Sequence, residues 1–165
     1  MANILIDGYN LIGIAHKDLE KARQELIQRL HGYAKTKGHD ITIVFDGWKN
    51  GQLKETITKL DGLTIIYSKL GENADSVIKK ILSSATKQWI VVSSDREISD
   101  FADSKNFTAV ASVEFEGKLY STDKQNNYEE AAYDKDMDLM PARQKGNPRK
   151  LSKREKKKIE ALRSL

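Results

Sequence analysis

Four aspartates stand where short apolar runs stop. Asp7 ends "NILID" (residues 3–7) and Asp46 ends "ITIVFD" (41–46). Asp95 directly follows "WIVVSS" (89–94), and Asp75 lies in "KLGENADS" after "LTIIYS" (63–68). In a parallel sheet the carboxyl ends of all strands share one edge, the usual place for chemistry in open α/β proteins. Carboxylates gathered there raise one another's pKa. A divalent cation bound by oxygens alone, Mg²⁺ or Mn²⁺, removes that conflict. Each acid also has a structural reading: Asp75 is placed to cap a helix, and Asp46 with Gly47 forms a common turn pair. Asp7 and Asp95 are harder to explain in that way.

Other chemistries fit less well. No Gly-x-x-x-x-Gly-Lys-Ser/Thr loop is present. No Gly-x-Gly-x-x-Gly follows the first strand, so no nucleotide cofactor is expected. No serine sits in a Gly-x-Ser-x-Gly elbow. An aspartyl-phosphate phosphatase would want a second Asp two residues after Asp7, where this chain has Tyr9. The chain has no cysteine, which excludes disulfides, zinc ribbons and thiol catalysis and is compatible with a cytoplasmic location. His16, His31 and His39 show no zinc-ligand spacing and read as surface residues.

Positioning four acids on one edge requires strands joined by helical crossovers. The apolar runs are rich in Ile, Val and Leu without polar alternation, as strands buried on both faces are. A fifth run, "FTAVA", starts at Phe107. Between the runs, Leu19, Ala22, Leu26, Leu30 and Tyr33 recur at helical intervals, with Gly38 as the expected C-cap. Val77, Ile78, Ile81 and Leu82 share one helical face, as do Ile98, Phe101 and Ala102. Ser112 is placed to begin a further helix through "VEFEGKLYS", which Gly117 weakens. The alternation implies an α/β fold with a parallel sheet covered on both faces.

Length and charge divide the rest. The 165 residues suit one domain plus a tail. No apolar run approaches the roughly 18 residues of a membrane span, so no membrane partner is expected. Nor does a basic segment precede a long apolar stretch, so no signal peptide is expected. Residues 123–148 are polar, hold both prolines and read as a peripheral extension. From Arg143 onward there are ten Lys or Arg against two Glu, whereas the preceding residues carry a net charge of −4. Such a tail suits a phosphate backbone or a solvated end. "SKRE" (152–155) has capping-box spacing, so a basic helix from Lys153 to about Arg163 is expected.

"ILIDGYNLI", "VFDG", "ENADSVIKKI" and "VVSSDREI" resemble the motifs of NYN domains of the YacP-like group, a branch of the PIN-like nucleases. The resemblance runs from residue 3 to about 122. It implies a PIN-like three-layer α/β/α fold with a central, mainly parallel sheet of order 3-2-1-4-5, plus a basic C-terminal extension. The implied boundaries are a nuclease domain over 1–122, the extension over 123–148 and a basic helix or tail over 149–165. The resemblance also implies an Mg²⁺- or Mn²⁺-dependent endoribonuclease, with Asp7, Asn10, Asp75 and Asp95 as catalytic positions. Asp7, Asp75 and Asp95, and less securely Asp46, would hold metal, and Asp100 is a candidate for an outer position. Some members of the group are ribosome-associated endoribonucleases, so mRNA and the ribosome are the implied partners. RNA contacts are expected from Arg149, Lys150, Lys153, Arg154, Lys156, Lys157 and Lys158. Tyr9 and Trp48 are placed to stack on bases or to pack, and Arg96 to contact RNA or solvent. Ser93 and Ser94 would serve the phosphate, Asp95 or simple packing. The rival readings are a catalytically silent RNA-binding or adaptor module, a small-molecule hydrolase, and a toxin-like nuclease with an inhibitor partner.

Overall fold

The computed structural model describes residues 1–13, 18–47, 54–129 and 152–165. Six strands form one sheet: β1 (Asn3–Asp7), β2 (Asp40–Phe45), β3 (Thr56–Leu60), β4 (Leu63–Tyr67), β5 (Ile90–Val92) and β6 (Thr108–Val110). The helices are α1 (Gly8–Ile12), α2 (Leu19–Lys37), α3 (Ala74–Ser83), α4 (Arg96–Ser104), α5 (Ser112–Glu129) and α6 (Lys153–Ser164). The sheet order is β3-β4-β2-β1-β5-β6, and every pairing is parallel except β3 with β4. Without β3 the order is the expected 3-2-1-4-5, and the fold is α/β as expected.

Strand β3 is an addition to the expectation. Its residues TITKL are mostly exposed, so they lack the apolar density of the central runs. The hairpin turns at Asp61-Gly62, with Leu60 opposite Leu63 and Gly62 at φ +74°.

Two apolar layers clasp the sheet. Ile4, Ile6, Ile41, Ile43 and Phe45 pack with Leu26, Leu30 and Tyr33 of α2 and with Phe115 and Leu119 of α5. On the other face Leu5, Val44 and Val91 meet Val77, Ile78 and Leu82 of α3 and Ile98 and Ala102 of α4. Each such side chain contributes roughly 1.5–3 kcal/mol when fully buried. The alternation of Ile4, Leu5 and Ile6 between the two layers is the period-2 geometry of a strand buried on both faces.

Helix α2 begins at Asp18, which accepts from the Lys21 amide at 3.0 Å, and ends at Gly38 in the left-handed conformation. Helix α5 runs to Glu129 despite Gly117, so the boundary expected at residue 122 falls inside it. Helix α6 opens with the expected capping box between Ser152 and Glu155. His39 is buried, contrary to the expectation of a surface residue: its Nδ1 accepts from the Ala2 amide at 3.3 Å, and its ring lies 5.8 Å from that of Tyr33. Trp48, Arg149, Lys150, His16 and both prolines lie outside the described residues. Among the described residues no helix is long and apolar enough to cross a membrane.

Candidate active site

Parallel pairing of β1, β2, β4 and β5 sends their carboxyl ends to one edge, and the four aspartates follow from it. Asp7, Asp95 and Asp46 each take up distinct local bonds. Asp7 ends β1 and caps α1, its Oδ1 accepting from the Asn10 amide at 3.3 Å. Its Oδ2 accepts from the Ser93 hydroxyl at 3.4 Å. Asp95 caps α4, with Oδ1 accepting from the Glu97 amide at 2.7 Å and the Ile98 amide at 3.4 Å. Asp46 Oδ1 accepts from the Ala74 amide at 2.6 Å and so ties the end of β2 to the start of α3. The cap of α3 is Asn73, so Asp75 is not used as a cap and sits half-buried in the first turn.

The acids feel one another. Burial dominates at Asp7, which is 8% exposed, and pushes its carboxyl up to about 6. The Asn10 and Ser93 hydrogen bonds oppose that shift, while Asp75 and Asp46 add to it. Asp75 is also raised, first by burial and then by Asp95, with Lys79 opposing and Asp46 and Glu97 adding. Lys79 is ion-paired with Glu97 at the rim.

Among the described residues no three acids converge tightly enough to form a preformed cage for an ion. The donor chemistry nevertheless suits a hydrated divalent cation, because Mg²⁺ keeps several waters and needs only one or two carboxylates. A partly desolvated acid with like-charged neighbours is what such a cation would stabilise.

Asn10 is fixed by a network that ties three segments together. Its Oδ1 accepts from the Ser94 amide at 2.8 Å and from the Ser112 hydroxyl at 2.6 Å. The Ser112 amide in turn donates to Ser94 Oγ at 3.1 Å. With its oxygen so engaged, Asn10 has its N–H donors to offer a substrate. Ser93 Oγ also accepts from the Asp95 amide at 3.1 Å and so links Asp7 to Asp95. Ser112, expected from the sequence only to begin a helix, lies 102 residues from Asn10, and only the fold brings them together. Ser112→Ala removes one of the two bonds holding Asn10, worth about 1 kcal/mol. The melting temperature is expected to fall by roughly 2–4 °C, which a melting curve would check.

The other expected contacts sort by environment. Tyr9 is committed to packing: its ring meets Phe45 edge-on at 5.3 Å, and its hydroxyl accepts from Arg23 at 3.2 Å. Arg23 is buried and its guanidinium lies 5.7 Å from the Tyr67 ring centre. Arg154 pairs with Asp103 at 2.6 Å, Lys158 with Glu114 at 2.8 Å, and Lys157 donates to Asn106 at 2.5 Å. Arg96, Lys153 and Lys156 are exposed and have no ion pair among the described residues, and Asp100 is exposed on α4.

Comparison with known proteins agrees with this architecture. The sequence matches the YacP-like NYN domain family over residues 4–164. It is 35% identical over 104 residues to the uncharacterized protein YacP of Bacillus subtilis (strain 168), a match covering 56% of this chain and 59% of that protein. The fold is similar to the crystal structure of Rae1 (YacP) from Bacillus subtilis, with a TM-score of 0.65 and 25% identity over 79% of this chain and 80% of that one. A mutant form of Rae1 (YacP) gives a TM-score of 0.63 at 23% identity over 77% and 80% of the two chains. With a match running through β1 to α6 and a sheet of the same class, the chain belongs to the YacP-like NYN domain family, a branch of the PIN-like nucleases.

Proposed function

We propose that this protein is a metal-dependent endoribonuclease that hydrolyses RNA phosphodiester bonds at the edge carrying Asp7, Asp46, Asp75 and Asp95. The observation that carries the reading is Asp7, a buried carboxyl raised to about 6 beside other acids of the same edge. A desolvated acid among like charges at a strand-end crevice marks a candidate functional site. Asp7 and Asp75, with Asp95 and Asp46 through their remaining oxygens, would hold Mg²⁺ or Mn²⁺ directly or through waters. When bound, the cation supplies a water activated for in-line attack and neutralises charge on the phosphodiester. The chain's own residues orient the groups around that point. The Asn10 amide donates to a phosphate oxygen. Ser93 fixes the Asp7 carboxylate by its hydroxyl. Lys79 opposes the upward shift that burial and Asp95 impose on Asp75. Arg96, Lys153 and Lys156 attract the RNA backbone, and affinity should therefore fall with salt.

Labelled single-stranded RNA incubated with the protein and Mn²⁺ tests the reading. Internal cleavage is expected, abolished by a chelator and reduced at least ~10²-fold in Asp75→Asn. RNA that is bound but left intact under all divalent conditions would instead establish the adaptor reading.

A further inference from the structure

Helix α6 lies across the open edge of the sheet rather than in solvent. Between it and β6 runs a groove of about 620 Å³. One end is at Asn106 and Phe107, and the other at Ser93 and Ser94. That second end is the strand terminus where the Ser93 hydroxyl meets Asp7 and the Asp95 amide. We propose that this groove holds a single strand of RNA and leads it into the acidic edge; the assignment rests on the ribonuclease reading.

Three features point to a single-stranded nucleic acid. The first is the floor. Thr108, Ala109, Val110 and Ala111 line it consecutively, so the groove faces the strand edge. The buried ring of Phe107 adds an apolar end. Small side chains of this kind leave room for the flat face of a base beside the strand.

The second feature is charge. Arg154 and Lys158 are ion-paired with Asp103 of α4 and Glu114 of α5, whereas Lys157 donates to the neutral Asn106 amide and keeps its charge. Lys153 also lines the groove but has no ion pair among the described residues. An apolar floor beside the charges of Lys153 and Lys157, with the lining Glu155 held in its capping box, matches a ligand of alternating bases and single phosphate charges.

The third feature is size. The volume falls in the range of sites for small ligands, room for roughly one to two nucleotides and too little for a duplex. An extended peptide is a poorer match. Thr108 donates to the Trp89 carbonyl and Val110 accepts from the Ser93 amide, both toward β5. Ala109 alone therefore turns its amide and carbonyl to the groove, and one residue offers little ladder for strand addition.

Binding is measured in an Asp7→Asn background, so that RNA is not consumed, by fluorescence anisotropy with a fluorescein-labelled single-stranded 12-mer. Thr108→Glu places a negative charge on the floor at a half-exposed position. It is expected to weaken binding at least tenfold, while Thr108→Lys at the same position does not weaken it. Cross-linking of 4-thiouridine RNA to the otherwise unaltered chain is expected within residues 107–111 or 153–158, which keeps the test independent of how the charge variants fold. Equal affinity for both charge variants, with cross-links only elsewhere, overturns the groove assignment. If the wild-type protein still cleaves RNA in that case, the ribonuclease reading stands without it. A wild-type protein that neither binds nor cleaves RNA overturns both. Equal competition by a duplex of the same sequence overturns the single-strand assignment.

Discussion

Asp7→Asn is expected to reduce RNA cleavage by roughly 10³-fold or more while making the protein more stable at pH 8. The two effects have one cause. Asp7 is raised to about 6 in the fold from 3.8, so between those values the folded chain holds a proton that the unfolded chain has released. Stability is therefore highest below about pH 3.8 for this group and is lost as pH rises through about 6. The full penalty above that window is about 3 kcal/mol. An amide keeps the acceptor for the Asn10 N–H and adds a donor for Ser93, without the charge. The gain should appear as a melting temperature higher by roughly 5–10 °C at pH 8, shrinking toward nothing near pH 4. Saturating Mn²⁺ should raise the wild-type midpoint at pH 8 by mass action and raise that of the variant much less. A variant less stable than wild type at pH 8, or one that still cleaves RNA, would overturn this account.

The second large effect is expected at Gly8. Its backbone does not need a left-handed conformation, but the space beside it is already filled. A Cβ there would lie 2.3, 2.4 and 2.9 Å from three ring atoms of Phe45. That ring is fully buried, with Tyr9 edge-on at 5.3 Å and Tyr67 stacked at 5.5 Å, so it has little room to yield. Gly8→Ala should therefore displace the start of α1, with an overpacking cost of about 1–3 kcal/mol. This outweighs the gain of about 1 kcal/mol that alanine normally brings to a helix. Asn10 is two residues further on and depends on its bonds to Ser94 and Ser112. A displacement near 1 Å at such a group can cost on the order of 10² in rate. Chemical denaturation and single-turnover cleavage should both show a loss, and wild-type stability in Gly8→Ala would contradict the packing argument.

What the sequence disclosed depended on how each residue is used. Strands β1, β2, β4 and β5 are buried on both faces, so their Ile, Val and Leu runs stood out without any partner being known. Their common direction brought Asp7, Asp46 and Asp95 to one edge, with Asp75 on the following helix. Strand β3 was missed because TITKL is exposed at an edge, although Asp61-Gly62 between two β-rich runs was a hairpin signal. The bond of Ser112 to Asn10 left no local trace, because that hydroxyl acquires meaning only when α5 meets Asn10. The second employment of Asp95 and Asp46 as acceptors for helix amides depends on where those helices start. His39 read as a surface residue because its hydrogen-bond partner Ala2 is distant in the chain.

The central position of β1 also bears on the order of events during synthesis. Ile4 pairs with Ile41 on one side and Ile90 on the other. Strand β1 thus gains its second neighbour only after about 4–17 s of further elongation at ordinary rates. Until then an apolar segment waits without its second neighbour, and Asp7 waits without Ser93. A nascent chain that ends between Asp95 and Ser112 carries all four acids but lacks the Ser112 bond to Asn10. On the proposed function, ribosome-bound chains arrested before Ser112 should cleave RNA more weakly than chains extended through α5.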